Sequence, residues 1–375
     1  MITRDVWKNI EKRLFKGKVI ILIGARQVGK TTLLKTIESS KKKIIRINAD
    51  EPDVQAIFEN PTSTFLKNEF GHLKILIIDE AQRIPNIGLK LKLITDEIKT
   101  LQVIATGSSS FNLANQVNEP LTGRKWEFHL FPVSFQEMAR YHGRNTEKRL
   151  LSHRLVYGYY PEIVLSHMDA KSLLKQISDS YLYKDLLTWN KIHKSEKIIK
   201  LLQALAFQLG NQVSYSELSR LVGLDSQTIE SYIILLEQAY VVFRLGTYNN
   251  NLRTELKKTR KIYFYDNGIR NALIANFQTI ELRNDKGALW ENFLVSERLK
   301  LNNNSGRWVN RYFWRTSAQQ EVDYLEETDG KLLGFEFKWN SKSNQKITKA
   351  FTTNYPDAIT EIITQDNYET FITGQ

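Results

Sequence analysis

Cysteine is absent from all 375 residues, which excludes disulfides, zinc-thiolate sites and a cysteine nucleophile and makes a reducing cytoplasm the expected setting. No apolar run approaches the ~18–20 residues needed to cross a bilayer, so no membrane partner is expected. The longest runs, Val19–Ile23 and Ile75–Ile78, have the length of buried strands. The opening residues Met1, Ile2, Thr3, Arg4 and Asp5 lack the apolar stretch of a secretory signal. There is no internal repeat and no long low-complexity tract. Acidic residues are in deficit: 41 Asp and Glu stand against 53 Lys and Arg, a formal charge of +12. That excess favours a polyanionic partner, with DNA as the expectation, although a Lys-rich surface also serves solubility alone. The hydrophobic share of 42% and charged share of 25% are those of a soluble globular protein, long enough for two or three domains.

Apolar, β-branched runs alternate with helical patterns up to about residue 135: Val19–Ile23, Ile44–Ile47, Ile75–Ile78, Val103–Ala105 and Trp126–Leu130. That alternation predicts an α/β fold with a parallel sheet covered by helices on both faces. From Ser134 to Leu209 the pattern is mostly helical, with Ile177, Tyr181 and Leu182 at three-to-four spacing. The division expected from these changes is an α/β domain over 1–135, a helical linker or lid over 136–210, and smaller domains over 211–275 and 285–375. A soft boundary falls between Asn276 and Lys286.

Gly24-Ala25-Arg26-Gln27-Val28-Gly29-Lys30-Thr31, followed by Thr32, fits G-x-x-x-x-G-K-S/T between an apolar strand and a helix starting near Lys30. The residue types follow from phosphate chemistry. Glycines let successive backbone N–H groups turn inward around the anion, a lysine pairs with the β and γ oxygens, and a hydroxyl ligates magnesium. The helix N-terminus points its positive end at the same place. A glycine turn ahead of a helix is the bland alternative, but a chance match seldom has both flanking elements. Ile75–Ile78 then lead into Asp79 and Glu80 at the carboxyl edge of a buried strand, where ligands of open α/β sheets bind. Asp79 is expected to hold magnesium with Thr31, and Glu80 to orient and deprotonate the attacking water. The expected ligands are therefore ATP and magnesium. The next strand ends in Thr106, Gly107, Ser108 and Ser109, where Ser108 would contact the γ-phosphate or the water, unless the serines simply form a turn. Arg124 would stabilise developing γ-phosphate charge, in cis or in trans, or is a surface charge.

The strings GARQVGKTTLL, LIIDEAQ, TGSSS, LTGRKWEFHLFPVSFQE, KIYFYDNGI and ALWENFLVSERL together resemble one family. It is the bacterial and archaeal group of AAA-type P-loop ATPases with a C-terminal domain of unknown function. The resemblance spans nearly the whole chain and implies ATP hydrolysis, a winged helix after the ATPase domain and a restriction-nuclease-like tail. Ser108 and Ser109 depart from it, since many AAA proteins carry Asn at the sensor position.

The residues of those later segments carry readings of their own. Ser214 and Glu217 read as a capping box opening a helix through Val222, followed by a turn at Gly223–Asp225 and a second helix. That helix offers Ile229, Ile233, Leu236 and Ala239 for packing and Gln227, Thr228, Ser231 and Tyr232 for a major groove. Tyr240–Leu245 and Lys261–Tyr265 read as wing strands, joined by a segment carrying Arg253, Lys257, Lys258 and Arg260. The alternative is a winged helix that packs on protein, since its recognition face holds Glu230 and no Arg or Lys. In the tail, Phe335, Phe337 and Trp339 alternate with Glu336 and Lys338. Asp323 on a neighbouring strand completes the spacing of a PD-(D/E)xK core, to which Glu291 on the helix Ala288–Lys300 would add a carboxylate. Such a set can hold magnesium, while Lys338 orients water. The competing reading is a set of structural ion pairs with Lys338 and Arg315. Three functions remain: an ATP-driven switch acting on nucleic acid, an ATP-gated DNA nuclease, and an ATP-dependent regulator of a protein partner with an inactive tail. Homo-oligomerisation is left open.

Overall fold

A computed structural model of the chain describes residues 1–40, 43–107, 117, 119–166, 169–187, 195–248, 260–340 and 346–374. They divide into two compact units. The first comprises Thr3–Pro132 with Gln238–Tyr240. Its sheet holds β1 (Val19–Ile23), β2 (Ile44–Asn48), β3 (Ile75–Asp79), β4 (Gln102–Gly107) and β5 (Lys125–His129) in the order β2-β3-β4-β1-β5, all parallel. A parallel sheet covered on both faces removes the inside-outside alternation of a half-exposed strand. Accordingly every residue of β1, β3 and β4 is buried, while the edge strands β2 and β5 are only partly so.

The connections carry the helices Lys30–Ser40, Pro52–Ile57, Ser63–Phe70 and Ile87–Glu97. Local chemistry starts them: Pro52 occupies the first helical turn, and the Thr62 hydroxyl accepts the Phe65 N–H (3.2 Å). Because all five strands run one way, Ile23, Asn48, Asp79, Gly107 and His129 end on a single edge. The chain leaves β1 for β2 on one side and enters β5 on the other, so the strand order reverses at β1, the usual ligand crevice of such sheets.

The second unit comprises Met1–Ile2, Val133–Glu237 and Val241–Gln375. Ser134 and Glu137 form a reciprocal capping box at the helix Phe135–His142. The helices Tyr215–Val222 and Ser226–Gln238 meet at Gly223, whose φ of +72° closes the first of them. Ile229, Ile233, Leu236 and Ala239 are buried as expected. Tyr232 corrects the expectation: it is 7% exposed and packs inside instead of facing a groove. Thr228 is partly occupied by Asp225, which accepts both its N–H (2.8 Å) and its hydroxyl (2.6 Å).

One mixed sheet of seven strands runs through this unit: β6 (Gln212–Val213), β7 (Val242–Thr247), β8 (Arg260–Phe264), β9 (Asn310–Arg315), β10 (Glu321–Thr328), β11 (Lys331–Phe337) and β12 (Ile359–Ile363). Their spatial order is β12-β11-β10-β9-β7-β8-β6. The two strands expected as a wing thus join the tail strands through the parallel pair β7–β9, at Gly246 with Tyr312 and Thr247 with Phe313. The helix Lys286–Ser305 accompanies the sheet, with Trp290, Phe293 and Leu294 buried. Arg253, Lys257 and Lys258 lie outside the described residues, whereas Arg260 opens β8. Among the described residues no helix is long and apolar enough to cross a membrane.

Candidate functional site

The loop after β1 is shaped by contacts that only certain residues permit. A Cβ on Gly24 would lie 2.2 Å from the Leu130 carbonyl oxygen, so any side chain there would force the loop off the neighbouring chain. Gln27 and Gly29 both have positive φ, +59° and +95°, giving the reversals that turn N–H groups inward. Ala25 and Val28 are buried and anchor the loop, while Arg26 is half-buried and Gln27 exposed. The Lys30 ammonium is 6% exposed and donates to the Gly24 (2.8 Å) and Ala25 (2.7 Å) carbonyls. It is thereby held inside the loop at the N-terminus of the helix Lys30–Ser40. Thr31 and Thr32 are exposed in that helix's first turn.

Thr31 and Asp79, 48 positions apart in sequence, meet through the Thr31 hydroxyl and Asp79 Oδ2 at 3.1 Å. A hydroxyl beside a carboxylate is a hard-oxygen donor pair of the kind magnesium takes. Asp79 Oδ1 accepts the Thr106 hydroxyl, and the Arg46 guanidinium lies 3.7 Å from Oδ2. Glu80 turns sharply, with φ +52° and ψ +39°, which takes it out of the strand direction. Its carboxylate accepts the Gln82 side-chain N–H, and its backbone N–H donates to Thr106 Oγ1 (3.3 Å).

Four residues of this arrangement were given no role from the sequence. Arg4 is buried and donates to the carbonyls of Val28 (2.7 Å) and Phe131 (2.6 Å), pinning the loop from ahead of β1. Arg46, Gln82 and Thr106 complete it; Gln82 closes the LIIDEAQ string and Thr106 is the first polar residue after the β4 apolar run, whereas Arg46 carried no signal. Ser108 lies outside the described residues. For Arg124 the cis role is corrected. Its carbonyl accepts the Val19 N–H (2.9 Å), so it sits at the amino edge of the sheet, with a strand of about five residues, ~16 Å, between it and the loop. Its side chain pairs there with Asp96 (3.1 Å).

Residues 16–139 match the family described as an AAA domain, and 148–280 and 286–371 match two domains of unknown function, DUF8612 and DUF4143. A solved structure, the Walker-type ATPase of Pyrococcus abyssi, superposes with a TM-score of 0.52 at 16% identity, over 73% of this chain and 96% of that one. The fold is that of a P-loop ATPase. An uncharacterised protein of Mycobacterium tuberculosis is 27% identical over 342 residues, 90% of this chain and 74% of the relative. Another, of Methanocaldococcus jannaschii, is 24% identical over 367 residues, 92% of this chain and 80% of the relative. The similarity to these relatives thus extends along the chain beyond the residues that match the AAA domain.

Outside the unit that matches the AAA domain, a second cluster of charged side chains forms where β8, β10, β11 and the helix Lys286–Ser305 converge. The Glu336 carboxylate bonds to Lys338 (2.7 Å), and Asp323 Oδ2 accepts the Phe337 backbone N–H (2.8 Å). Lys261, 1% exposed, is the residue sequence reasoning placed elsewhere: its ammonium pairs with Glu291 (2.9 Å) and Glu321 and lies 3.9 Å from Asp323. The Tyr263 hydroxyl also donates to Glu291 (2.6 Å). The alternation Lys261-Ile262-Tyr263 was the available signal, since it puts both polar groups on one strand face. Arg315 pairs with Glu321 (3.0 Å). Burial, then the neighbouring Glu291 charge, pushes the Asp323 carboxyl up to about 7. Burial and Asp323 raise Glu336, whereas burial opposes but the surrounding carboxylates hold Lys261 above the usual lysine value. Among the described residues no group of three or more Asp, Glu or His side chains is arranged to hold a metal ion.

Proposed function

We propose that this chain is a magnesium-dependent ATPase working as an ATP-driven switch on nucleic acid. The observation that carries the catalytic part is the meeting of Thr31 with Asp79 at 3.1 Å, beside the buried Lys30 and with Glu80 one residue further on. Bound magnesium would draw charge from the phosphate oxygens, and Thr31 and Asp79 are the residues to hold it. Lys30 already lies in the loop, where an arriving phosphate can take its proton donors from the Gly24 and Ala25 carbonyls. Glu80 is the base for the attacking water, and it must leave Gln82 to act.

The test separates binding from chemistry. Lys30→Ala should abolish ATP binding in calorimetry. Glu80→Gln should bind ATP as the natural protein does and lose roughly 10²–10⁴-fold in turnover, the usual worth of a general base. Equal ATP affinity in the natural protein and Lys30→Ala would sink the assignment.

The nucleic-acid part is supported by the +12 charge and by the exposed Gln227 and Ser231 on the helix Ser226–Gln238. For the tail, the position of Lys261 favours structural ion pairing over nuclease chemistry. Its ammonium pairs with Glu291 and Glu321 and lies 3.9 Å from Asp323, so a cation already stands among the carboxylates where a divalent ion would sit. The tail is read accordingly as a fold for binding and not for cutting.

A further inference from the structure

Thr106, the last-but-one residue of β4, is fully buried, and its hydroxyl contacts both carboxylate residues at the end of β3. A hydroxyl has one proton and two lone pairs. The Glu80 backbone N–H can only donate, so Thr106 Oγ1 accepts there (3.3 Å) and gives its own proton to Asp79 Oδ1. Asp79 Oδ2 meanwhile faces the Thr31 hydroxyl. Both Asp79 oxygens therefore have assigned directions. A continuous chain of hydrogen bonds runs from Thr31 through Asp79, Thr106 and Glu80 to Gln82.

We propose that Thr106 is a positioning residue of the ATPase, orienting Asp79 toward the metal position while holding the turn that presents Glu80. Both halves have a physical basis. A carboxylate with one oxygen tied to a buried hydroxyl cannot rotate freely, so its other oxygen stays directed at Thr31. Glu80 occupies left-handed backbone space, which is strained for a non-glycine residue and persists only where neighbours hold it. The Thr106 hydroxyl is the neighbour that accepts its N–H. Partners that orient metal ligands are worth about 10–100-fold in metal affinity or activity.

The inference rests on the ATPase reading, and its test uses three measurements on the full chain. Thr106→Val keeps the shape and removes the hydroxyl, while Thr106→Ser keeps the hydroxyl. Thermal unfolding reports folding, ATP affinity in EDTA reports the loop, and manganese affinity of the ATP-loaded protein, by electron paramagnetic resonance, reports Asp79. Turnover is measured beside them. Val should leave ATP affinity in EDTA unchanged and lower manganese affinity and kcat each by about 10–100-fold, with KM little altered, and Ser should restore most of both losses. Natural manganese affinity and kcat in Val, or a Ser protein no better than Val, would overturn the proposal. Should Val fail to fold, Thr106→Ala takes its place in the comparison with Ser. Failure of the ATPase reading looks different: the natural protein would itself bind no ATP, or Lys30→Ala would bind it equally well.

Discussion

A single buried arginine shows how far the loop depends on residues outside its motif. Arg4 spans the Val28 and Phe131 carbonyls, and its removal leaves two buried acceptors without those charged donors. Hydrogen bonds to a charged group contribute about 1.5–3 kcal/mol each. Arg4→Ala should therefore lower the unfolding free energy and weaken ATP binding together, while Arg4→Lys, which keeps the charge but loses the planar fork that spans the two carbonyls, should fall between. Undiminished ATP affinity in Arg4→Ala would show that the loop holds its shape unaided. Asp323 makes a second residue-scale prediction. Its folded value of about 7 lies above the ~3.9 of a free aspartate, so between those values the folded state binds more protons than the unfolded one. By linkage, stability falls as pH rises through that window and is greatest on its acid side. Asp323→Asn still accepts from the Phe337 N–H but carries no charge, so it should flatten this pH dependence and be relatively more stable at pH 8. Denaturant melts at pH 5 and 8 check the sign.

At the scale of elements, the central strand β1 does two jobs: it is buried throughout, and it aims the loop. Ile21 has no exposed surface and lies level with Ala105 of β4 and Glu127 of β5. Ile21→Ala should cost about 2–5 kcal/mol through lost burial and a residual cavity. Its effect on nucleotide affinity should be small, because the loop begins three residues later. Gly24→Ala should do the reverse. It deletes no buried surface, but its new Cβ meets the Leu130 oxygen at 2.2 Å, so the loop must move and ATP affinity should drop by a larger factor than stability. Chemical denaturation and calorimetry on both variants separate the two effects, and parallel losses in both would show the strand and loop to be one unit. Arg124 belongs at this scale too, since strand direction alone puts it on the edge opposite the loop.

For the whole molecule the expectation concerns charge. If phosphates are contacted, DNA affinity falls steeply with salt, and each lost phosphate contact flattens the slope by about one unit. Replacing Lys257, Lys258 and Arg260 with Ala should weaken binding and flatten the slope together, read by fluorescence anisotropy at several salt concentrations. No DNA binding at low salt, with or without ATP, would favour a protein partner instead. For the tail, supercoiled plasmid with manganese and ATP should stay intact. Nicking lost in both Asp323→Ala and Lys338→Ala would restore the nuclease reading.

Much of the first unit could be read from sequence because its determinants are local. Apolar runs gave β1 at its observed limits and β3 to within a residue, since a doubly covered parallel strand is uniformly buried. The loop's glycines and lysine were legible because its turn is made by consecutive residues, with Gly29 at positive φ and Lys30 bonded back to Gly24 and Ala25. The tail's Asp323 and Glu336 were legible as strand neighbours, and so was the Lys338 pairing, by alternation along β11. What remained hidden was whatever depends on which segments meet: Arg4 reaching Phe131, Thr106 joining Asp79, and Lys261 entering the carboxylate cluster. Tyr232 was misplaced for the same reason, as a helix's polar face is defined by what packs against it. Local chemistry therefore determined the elements and the turn of the loop after β1, where neighbours along the chain supply most of the interactions. Tertiary structure decided the direction of Arg124, the bonds of Asp79 and the counter-ion of the tail, because ion pairs and hydrogen bonds form between groups brought within ångströms whatever their separation in sequence.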